Sequence, residues 1–294
     1  MSILVFHYPG NEAIAAELCK HPSFEEGKAV WGVFPDGESK LLLQSSVAEK
    51  SIVLVCSLNK PDEKLTRLYL FCNLLRSSGA KHIALLAPYL CYMRQDKVFK
   101  TGEGVTAAYS AQLISSFVDE IITVDAHLHR IQKLSEVYSV PAYNLHAALE
   151  IARYIKTTIS DPVLIGPDSE SEQWVMEVAS AVGCEFTVLE KVRYGDRDVK
   201  IQMKNAAVLS GKNCVLVDDI ISTGRTLIET LKHLKELGLG GAHCLAVHAV
   251  FAENSYQQLQ DAGALSIVTC NTIPHPSNGI SLAEVYIEHF LQNS

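Results

Sequence analysis

The sequence predicts an α/β fold of largely parallel sheets, divided between two units. Three observations lead there. Short runs rich in Val and Ile recur along the chain, segments of helical period separate them, and the alternation restarts about halfway. In the first half, residues 3–6, 29–34, 52–56, 83–87 and 121–124 read as strands, and in the second half 163–165, 186–189, 215–217, 244–250 and 266–269 do. The segment 61–78 carries Leu65, Leu68, Tyr69, Cys72 and Leu75 at helical spacing. The segment 226–237 carries Leu227, Leu231 and Leu234 on one face, with Lys232, Lys235 and Glu236 outside and Gly238 as the expected C-cap. No Pro/Gly/Ser linker divides the halves. A helix over about 146–157 joins them, so the expected domains are 1–145 and 146–294.

A chain of 294 residues can bury a core in each of two domains, at about 100–200 residues per domain. Hydrophobic residues make up 48% and charged ones 20%, which excludes a disordered chain. Acidic residues outnumber basic ones 33 to 25, a formal net charge of -8, so nucleic acid is not an expected partner. Local loops and metal ions still permit phosphate ligands. The eight cysteines are scattered singly, several in apolar runs, and read as reduced thiols. No signal-like segment opens the chain, and no apolar run reaches the roughly 20 residues of a membrane helix. The expected setting is the cytoplasm, with no membrane partner.

Asp218-Asp219-Ile220-Ile221-Ser222-Thr223-Gly224-Arg225-Thr226 is the most informative stretch. A buried strand ends in two carboxylates, and a Ser-Thr-Gly turn then opens a helix. Ligands of open α/β sheets sit beyond the carboxyl ends of strands, where this loop lies. Backbone N–H groups with the hydroxyls of Ser222, Thr223 and Thr226 suit a phosphate dianion. Asp218 and Asp219 suit sugar hydroxyls or a divalent cation. A strand end with solvated acids is the plain alternative, and the hydroxyl-Gly turn in register favours the ligand. This stretch closely resembles the phosphoribosyl-diphosphate loop of the phosphoribosyltransferase-like fold.

Four further segments narrow the reaction. Phe34-Pro35-Asp36-Gly37-Glu38 is a turn after a strand, which alone reads as an ordinary hairpin or loop. Pro88-Tyr89-Leu90-Cys91-Tyr92-Met93-Arg94-Gln95-Asp96 follows the strand 83–87 and offers aromatic surface, a guanidinium and an amide, chemistry suited to adenine and polyphosphate. Asp125-Ala126-His127-Leu128-His129 follows the strand 121–124, and an extended backbone would place Asp125, His127 and His129 on one side as a cation site. Glu190-Lys191-Val192-Arg193-Tyr194-Gly195-Asp196-Arg197-Asp198 follows the strand 186–189. It reads as a mobile loop whose two alternating cations would stabilise charge on a polyphosphate, against the plain reading of a solvated charge run.

In this order the segments resemble the ribose-phosphate diphosphokinase (phosphoribosyl-diphosphate synthetase) family over nearly the whole chain. The resemblance implies two phosphoribosyltransferase-like domains and Mg²⁺-dependent transfer of the diphosphoryl group of ATP to ribose 5-phosphate. It implies an ATP site formed by Phe34, Asp36 and Glu38 from a neighbouring subunit with Arg94, Gln95, Asp96 and His127. Lys191 and Arg193 are the implied catalytic cations, and His127 and Asp168 the implied metal ligands. Asp218, Asp219, Ser222, Thr223, Gly224, Arg225 and Thr226 are the implied ribose 5-phosphate site. A shared ATP site implies self-association, a dimer or a hexamer. Two departures stand out. In Asp168-Ser169-Glu170-Ser171-Glu172-Gln173-Trp174 the family's Asp is kept but its Gly pair is replaced by polar and acidic residues, and Leu128-His129-Arg130 stands in place of the more usual small or polar residues. The alternatives are a phosphoribosyltransferase and a catalytically silent, synthetase-like regulatory subunit.

Overall fold

The computed structural model describes residues 2–128, 130–167, 171–194, 198–203, 209 and 211–293, with the backbone alone over 190–194 and 198–203. Contacts divide the chain into two compact units, 1–146 together with 283–294, and 147–282.

In the first unit, β1 (Ile3–His7), β2 (Phe24–Glu26), β5 (Ser51–Val55), β6 (His82–Leu86), β7 (Glu120–Val124) and β8 (Ala142–Leu145) form one sheet in the order β2-β1-β5-β6-β7-β8. Every neighbouring pair is parallel, with Val5 opposite Val53 and Val53 opposite Ala84. Four of the five residues of β5 are buried, which is why the strand is a continuous Ile-Val-Leu-Val run rather than an alternating one. Helices α1 (Glu12–Leu18), α2 (Pro61–Ser77) and α3 (Thr106–Ser115), with the C-terminal α8 (Ala283–Gln292), complete the unit.

Leu65, Leu68, Phe71, Cys72 and Leu75 of α2 are buried. Tyr69, expected on that face, is exposed; at about 100° per residue its neighbour Leu68 takes the inward position, and Phe71 fills the stripe instead.

The segment expected to be a sheet strand at 29–34 leaves the sheet. β3 (Ala29–Val33) pairs antiparallel with β4 (Ser39–Leu43), Trp31 opposite Leu41. The link between them is too short for a parallel crossover, and Gly37 at φ +93° turns it back. Trp31, Leu41 and Leu43 pack on the core, while Val30 and Leu42, also paired, are exposed.

The second unit carries β9 (Pro162–Gly166), β10 (Phe186–Tyr194), β11 (Asp198–Met203), β12 (Asn213–Ile221), β13 (Ala242–Ala249), β14 (Ala264–Cys270) and β15 (Asn278–Ile280), in the order β11-β10-β9-β12-β13-β14-β15. Only β10 and β11 pair antiparallel. The expected loop at 190–198 is therefore strand as far as Tyr194, in keeping with the β-formers Val192, Val199 and Ile201 in its register. Helices α4 (Ala148–Thr158), α5 (Glu172–Val182), α6 (Arg225–Glu236) and α7 (Ser255–Asp261) accompany this sheet. Gly238 at φ +73° ends α6 as expected: its N–H bonds the Lys235 carbonyl, and the Leu239 N–H bonds that of Leu234, both at 3.0 Å.

All eight cysteines are free. Burial pushes Cys56, Cys72, Cys91 and Cys244 up to about 12, so these thiols stay protonated and act as small apolar groups. Among the described residues, no helix is long and apolar enough to cross a membrane.

Gly27 supplies a direct test of core packing. Its N–H bonds the Val5 carbonyl at 2.8 Å, and a Cβ there would lie 2.6 Å from the buried ring of Phe6. Gly27→Ala should lower the unfolding free energy in urea by about 1–3 kcal/mol with an unchanged m-value. An unchanged midpoint would show that the ring yields freely.

Candidate active site

The strand orders place one topological switch point in each sheet. From β1 the chain goes to β2 on one side and later to β5 on the other, and from β9 it goes to β10 and then to β12. Crevices for ligands open at such points, beyond the carboxyl ends of the strands.

At the first switch point the protein's own groups hydrogen-bond across the ends of the strands. Asn11, buried after β1, accepts the Ser57 N–H at 2.9 Å and donates to the Tyr8 carbonyl at 3.1 Å. Lys64 of α2 donates to the Ser57 carbonyl at 2.6 Å and to Asn59 Oδ1 at 2.7 Å. Burial lowers the pKa of this ammonium.

Beside it runs the 88–96 loop. Leu90, Cys91 and Met93 are buried and anchor it, and Tyr92 adopts φ +62°, a conformation disfavoured for a bulky side chain. Tyr92 donates its hydroxyl to Asp62 in the first turn of α2, and that bond pushes the phenol up to about 12. Gln95 accepts the Thr106 hydroxyl at 2.9 Å. Asp96 accepts the backbone N–H of Arg130 at 3.2 Å and its guanidinium at 3.0 Å. Burial opposes ionisation of Asp96, but the Arg130 backbone and side chain outweigh it and hold the carboxyl below its usual range. Gln95 and Asp96 thus shape the loop, and Arg94 is its exposed cation. The 34–38 turn closes with the Phe34 N–H on the Glu38 carbonyl at 2.8 Å, and Asp36 Oδ1 accepts the Glu38 N–H at 3.2 Å. Phe34 stays exposed at its tip, beneath the ammonium of Lys40.

After β7 the backbone does not stay extended. Asp125 takes φ +37°, so the expected common side for Asp125 and His127 is not formed by strand alternation. Asp125 is 7% exposed and hydrogen-bonds Nδ1 of His146 at 2.9 Å, and Asn144 Oδ1 accepts the Ala126 N–H at 2.8 Å. His127 is half-buried just beyond. Among the described residues, no group of three or more His, Cys, Asp or Glu side chains is placed to hold a metal ion. Asp168 and His129 lie outside the described residues, as do the side chains of Lys191 and Arg193, whose backbones lie in β10.

In the second unit, Asp218 and Asp219 end the buried part of β12, half-buried, with the Asp219 N–H on Asp218 Oδ1 at 2.9 Å. Ser222, Thr223, Gly224, Arg225 and Thr226 follow, Thr223 and Arg225 exposed. Gly224 enters α6 at φ +64°, and a Cβ there would lie 3.4 Å from Leu259. Having no side chain, it offers no cap to compete for the first-turn N–H groups. The loop after β13 braces the turn, with the N–H groups of Phe251 and Ala252 on the carbonyls of Ile221 and Ser222 at 2.8 and 3.1 Å. At the neighbouring end of β9, a Cβ on Gly166 would meet Ser171 and Val188 at 2.9 Å, so α5 seats tightly there.

Sequence reasoning missed His146 and Asn144, which the parallel pairing of β7 with β8 brings to the 125–128 turn. Their only signal was position, an Asn-Leu-His run closing β8. It also missed Arg130 as the partner of Asp96.

Comparison with known proteins gives a consistent picture. Residues 3–117 match the model of the N-terminal domain of ribose phosphate pyrophosphokinase, and 135–285 that of the phosphoribosyl transferase domain. The ribose-phosphate pyrophosphokinase of Methanopyrus kandleri is 34% identical over 253 residues, 85% of each chain. Ribose-phosphate pyrophosphokinase 2 of Archaeoglobus fulgidus is 34% identical over 285 residues, 96% of this chain and 97% of its own. The crystal structure of phosphoribosylpyrophosphate synthetase from Mycobacterium smegmatis shares the fold, with a TM-score of 0.83 and 100% of both chains covered at 22% identity.

The Asp96–Arg130 contact carries a pH signature. A carboxylate with a depressed folded pKa adds stability above its unfolded pKa, about 3.9 for Asp, and loses it as pH falls through the folded value. Arg130→Met should therefore be less stable than the wild type near neutral pH, by at most about 1 kcal/mol because Arg130 is half exposed. The gap should shrink in urea titrations as the pH is taken down toward about 2. A gap that widens in acid would remove the pairing.

Proposed function

The chain belongs to the ribose-phosphate pyrophosphokinase family, whose members pass the diphosphoryl group of ATP to ribose 5-phosphate, and we propose how its residues share that work. The observation that carries the assignment of the sugar site is the β12–α6 loop. Two half-buried carboxylates and a Gly-led helix start with flanking hydroxyls come from nine consecutive residues. Asp218 and Asp219 accept hydrogen bonds from the ribose hydroxyls. Ser222, Thr223 and Thr226, with the backbone at Gly224 and Arg225, take the 5-phosphate. ATP goes to the first unit, with Arg94 meeting its phosphates from the loop shaped by Gln95 and Asp96. Phe34, Asp36 and Glu38 come from the hairpin of a neighbouring subunit. The exposed Val30–Leu42 pair and Phe34 on that hairpin support self-association, as a dimer or a hexamer.

In the reaction the anomeric hydroxyl oxygen bonds to the β-phosphorus of ATP. The bond from that phosphorus to the α,β-bridging oxygen breaks, AMP leaves with that oxygen, and the hydroxyl proton passes to solvent. Holding the hydroxyl in line is where such transfers gain most of their rate. Lys191 and Arg193 lie two positions apart on β10, and we assign them to the charge that develops on the transferring group. His127 is the described candidate for a metal ligand. His127, with Asp168 as the oxygen donor, would hold a Mg²⁺, an ion that prefers oxygen ligands and is commonly shared with substrate phosphates. When bound, Mg²⁺ neutralises the polyphosphate and polarises its phosphorus. The buried, protonated thiols suit a reducing cytoplasm.

The match of 3–117 to the pyrophosphokinase N-terminal domain counts against a phosphoribosyltransferase. The acidic 168–174 turn is what favours a silent regulatory subunit.

Purified protein given ATP, ribose 5-phosphate and Mg²⁺ should yield AMP and 5-phosphoribosyl 1-diphosphate in equal amounts. Lys191→Ala should cut kcat by roughly 10²-fold or more, with modest change in either KM. Absence of AMP across several divalent cations would leave the regulatory reading. Turnover without ATP, given a base and 5-phosphoribosyl 1-diphosphate, would favour the transferase.

A further inference from the structure

We infer that Arg67 of α2 is a positioning residue for ATP, acting by fixing the β3–β4 hairpin that carries Phe34, Asp36 and Glu38; this rests on the ATP role proposed for that hairpin. Arg67 Nη2 donates to the Gly32 carbonyl in β3 at 3.2 Å, and Nη1 to the Tyr8 hydroxyl at 3.3 Å. The guanidinium stands 5.5 Å from the Tyr8 ring and 5.8 Å from the Trp31 ring, and those rings lie 5.1 Å apart. Trp31 in turn packs on Phe71, one turn further along α2, at 4.3 Å.

Two facts make this a device rather than a casual contact. Arg67 Nε is buried without a hydrogen-bond partner, and among the described residues no carboxylate lies within ion-pair distance of Arg67. A half-buried cation held at that cost is held for what its other two nitrogens do. Nη2 ties the helix to β3 two residues before Phe34, close to the turn of the hairpin, and Nη1 ties it to Tyr8 just after β1. Among the described residues the hairpin has no other sheet neighbour, since β3 and β4 pair with each other alone. Its direction therefore depends on the packing of Trp31, Leu41 and Leu43 and on this tether.

The same two turns of α2 reach the other carboxyl-edge segments. Asp62 holds Tyr92 in the 88–96 loop, and Lys64 holds Ser57 and Asn59 after β5. Lys64 also stands 5.9 Å from the Tyr8 ring. Asp62, Lys64 and Arg67 on one helix thus set the hairpin and the Arg94 loop in a common frame. Arg67 is the member whose loss frees the hairpin.

The test compares wild type, Arg67→Lys, Arg67→Met, Phe34→Ala and the Arg67→Met/Phe34→Ala double variant. Dissociation constants for a non-hydrolysable ATP analogue and for ribose 5-phosphate are measured by calorimetry, beside kcat, assembly mass and Tm. Both Arg67 variants should weaken the ATP analogue roughly tenfold, the scale of a lost tether, with ribose 5-phosphate affinity changed less than about twofold. Arg67→Met should cost less in the Phe34→Ala background than in wild type, because both act through one hairpin while Asp36 and Glu38 remain on it. Equal losses for both ligands, additive losses with Phe34→Ala, or unchanged ATP affinity would each overturn the inference. Arg67→Lys keeps the charge and serves if Arg67→Met does not fold. Wild type that binds the analogue yet makes no AMP would sink the catalytic reading and leave the positioning role to be read from the affinities. Wild type that binds no analogue would overturn both.

Discussion

A parallel strand cannot be followed directly by its neighbour. The chain must cross back over the sheet first, so every loop leaving a strand falls on one edge. Six strands of the first unit and six of the second obey this constraint. It gathers segments remote in sequence: Tyr8, Ser57, the 88–96 loop and the 125–128 turn on one edge, and Gly166, the 218–226 loop and Phe251 on the other. The hairpin β3–β4 is the exception, since it belongs to neither large sheet and is held by side chains instead.

The two switch points carry different side chains on one architecture. At β1/β5 the strand ends are bridged by Asn11 and Lys64, each hydrogen-bonded to Ser57. At β12 the same position carries carboxylates and a helix start led by a glycine in the left-handed region. The net charge of -8 is a weak guide to either site. It bears on long polyanions, whose affinity sums over a surface, whereas a small polyphosphate is held by a few local groups.

Strands with long Val/Ile runs were legible because burial on both faces demands them, and Gly238 was legible because only the left-handed region completes its cap. The 218–226 stretch was legible as a strand end opening a helix because all its groups are contiguous. What escaped the sequence was set by pairing. The 29–34 strand leaves the sheet because a short turn makes it fold back on 39–43, and no residue pattern within 29–34 distinguishes the two outcomes. His146 meets Asp125 only because β8 lies beside β7, and Arg130 meets Asp96 across 34 residues of chain. Asp125 at φ +37° breaks the alternation on which a shared side with His127 depended.

The central claim is that a diphosphoryl group, and not a single phosphoryl group, leaves ATP for the sugar. Following ATP labelled separately with ¹⁸O on the non-bridging oxygens of the β- and γ-phosphoryl groups by ³¹P NMR, with ribose 5-phosphate and Mg²⁺ present, tests this most directly. The account predicts that both labels move together into a diphosphate on the anomeric oxygen, while the α-phosphorus remains in AMP. Movement of the γ label alone, with ADP as the second product, would contradict it.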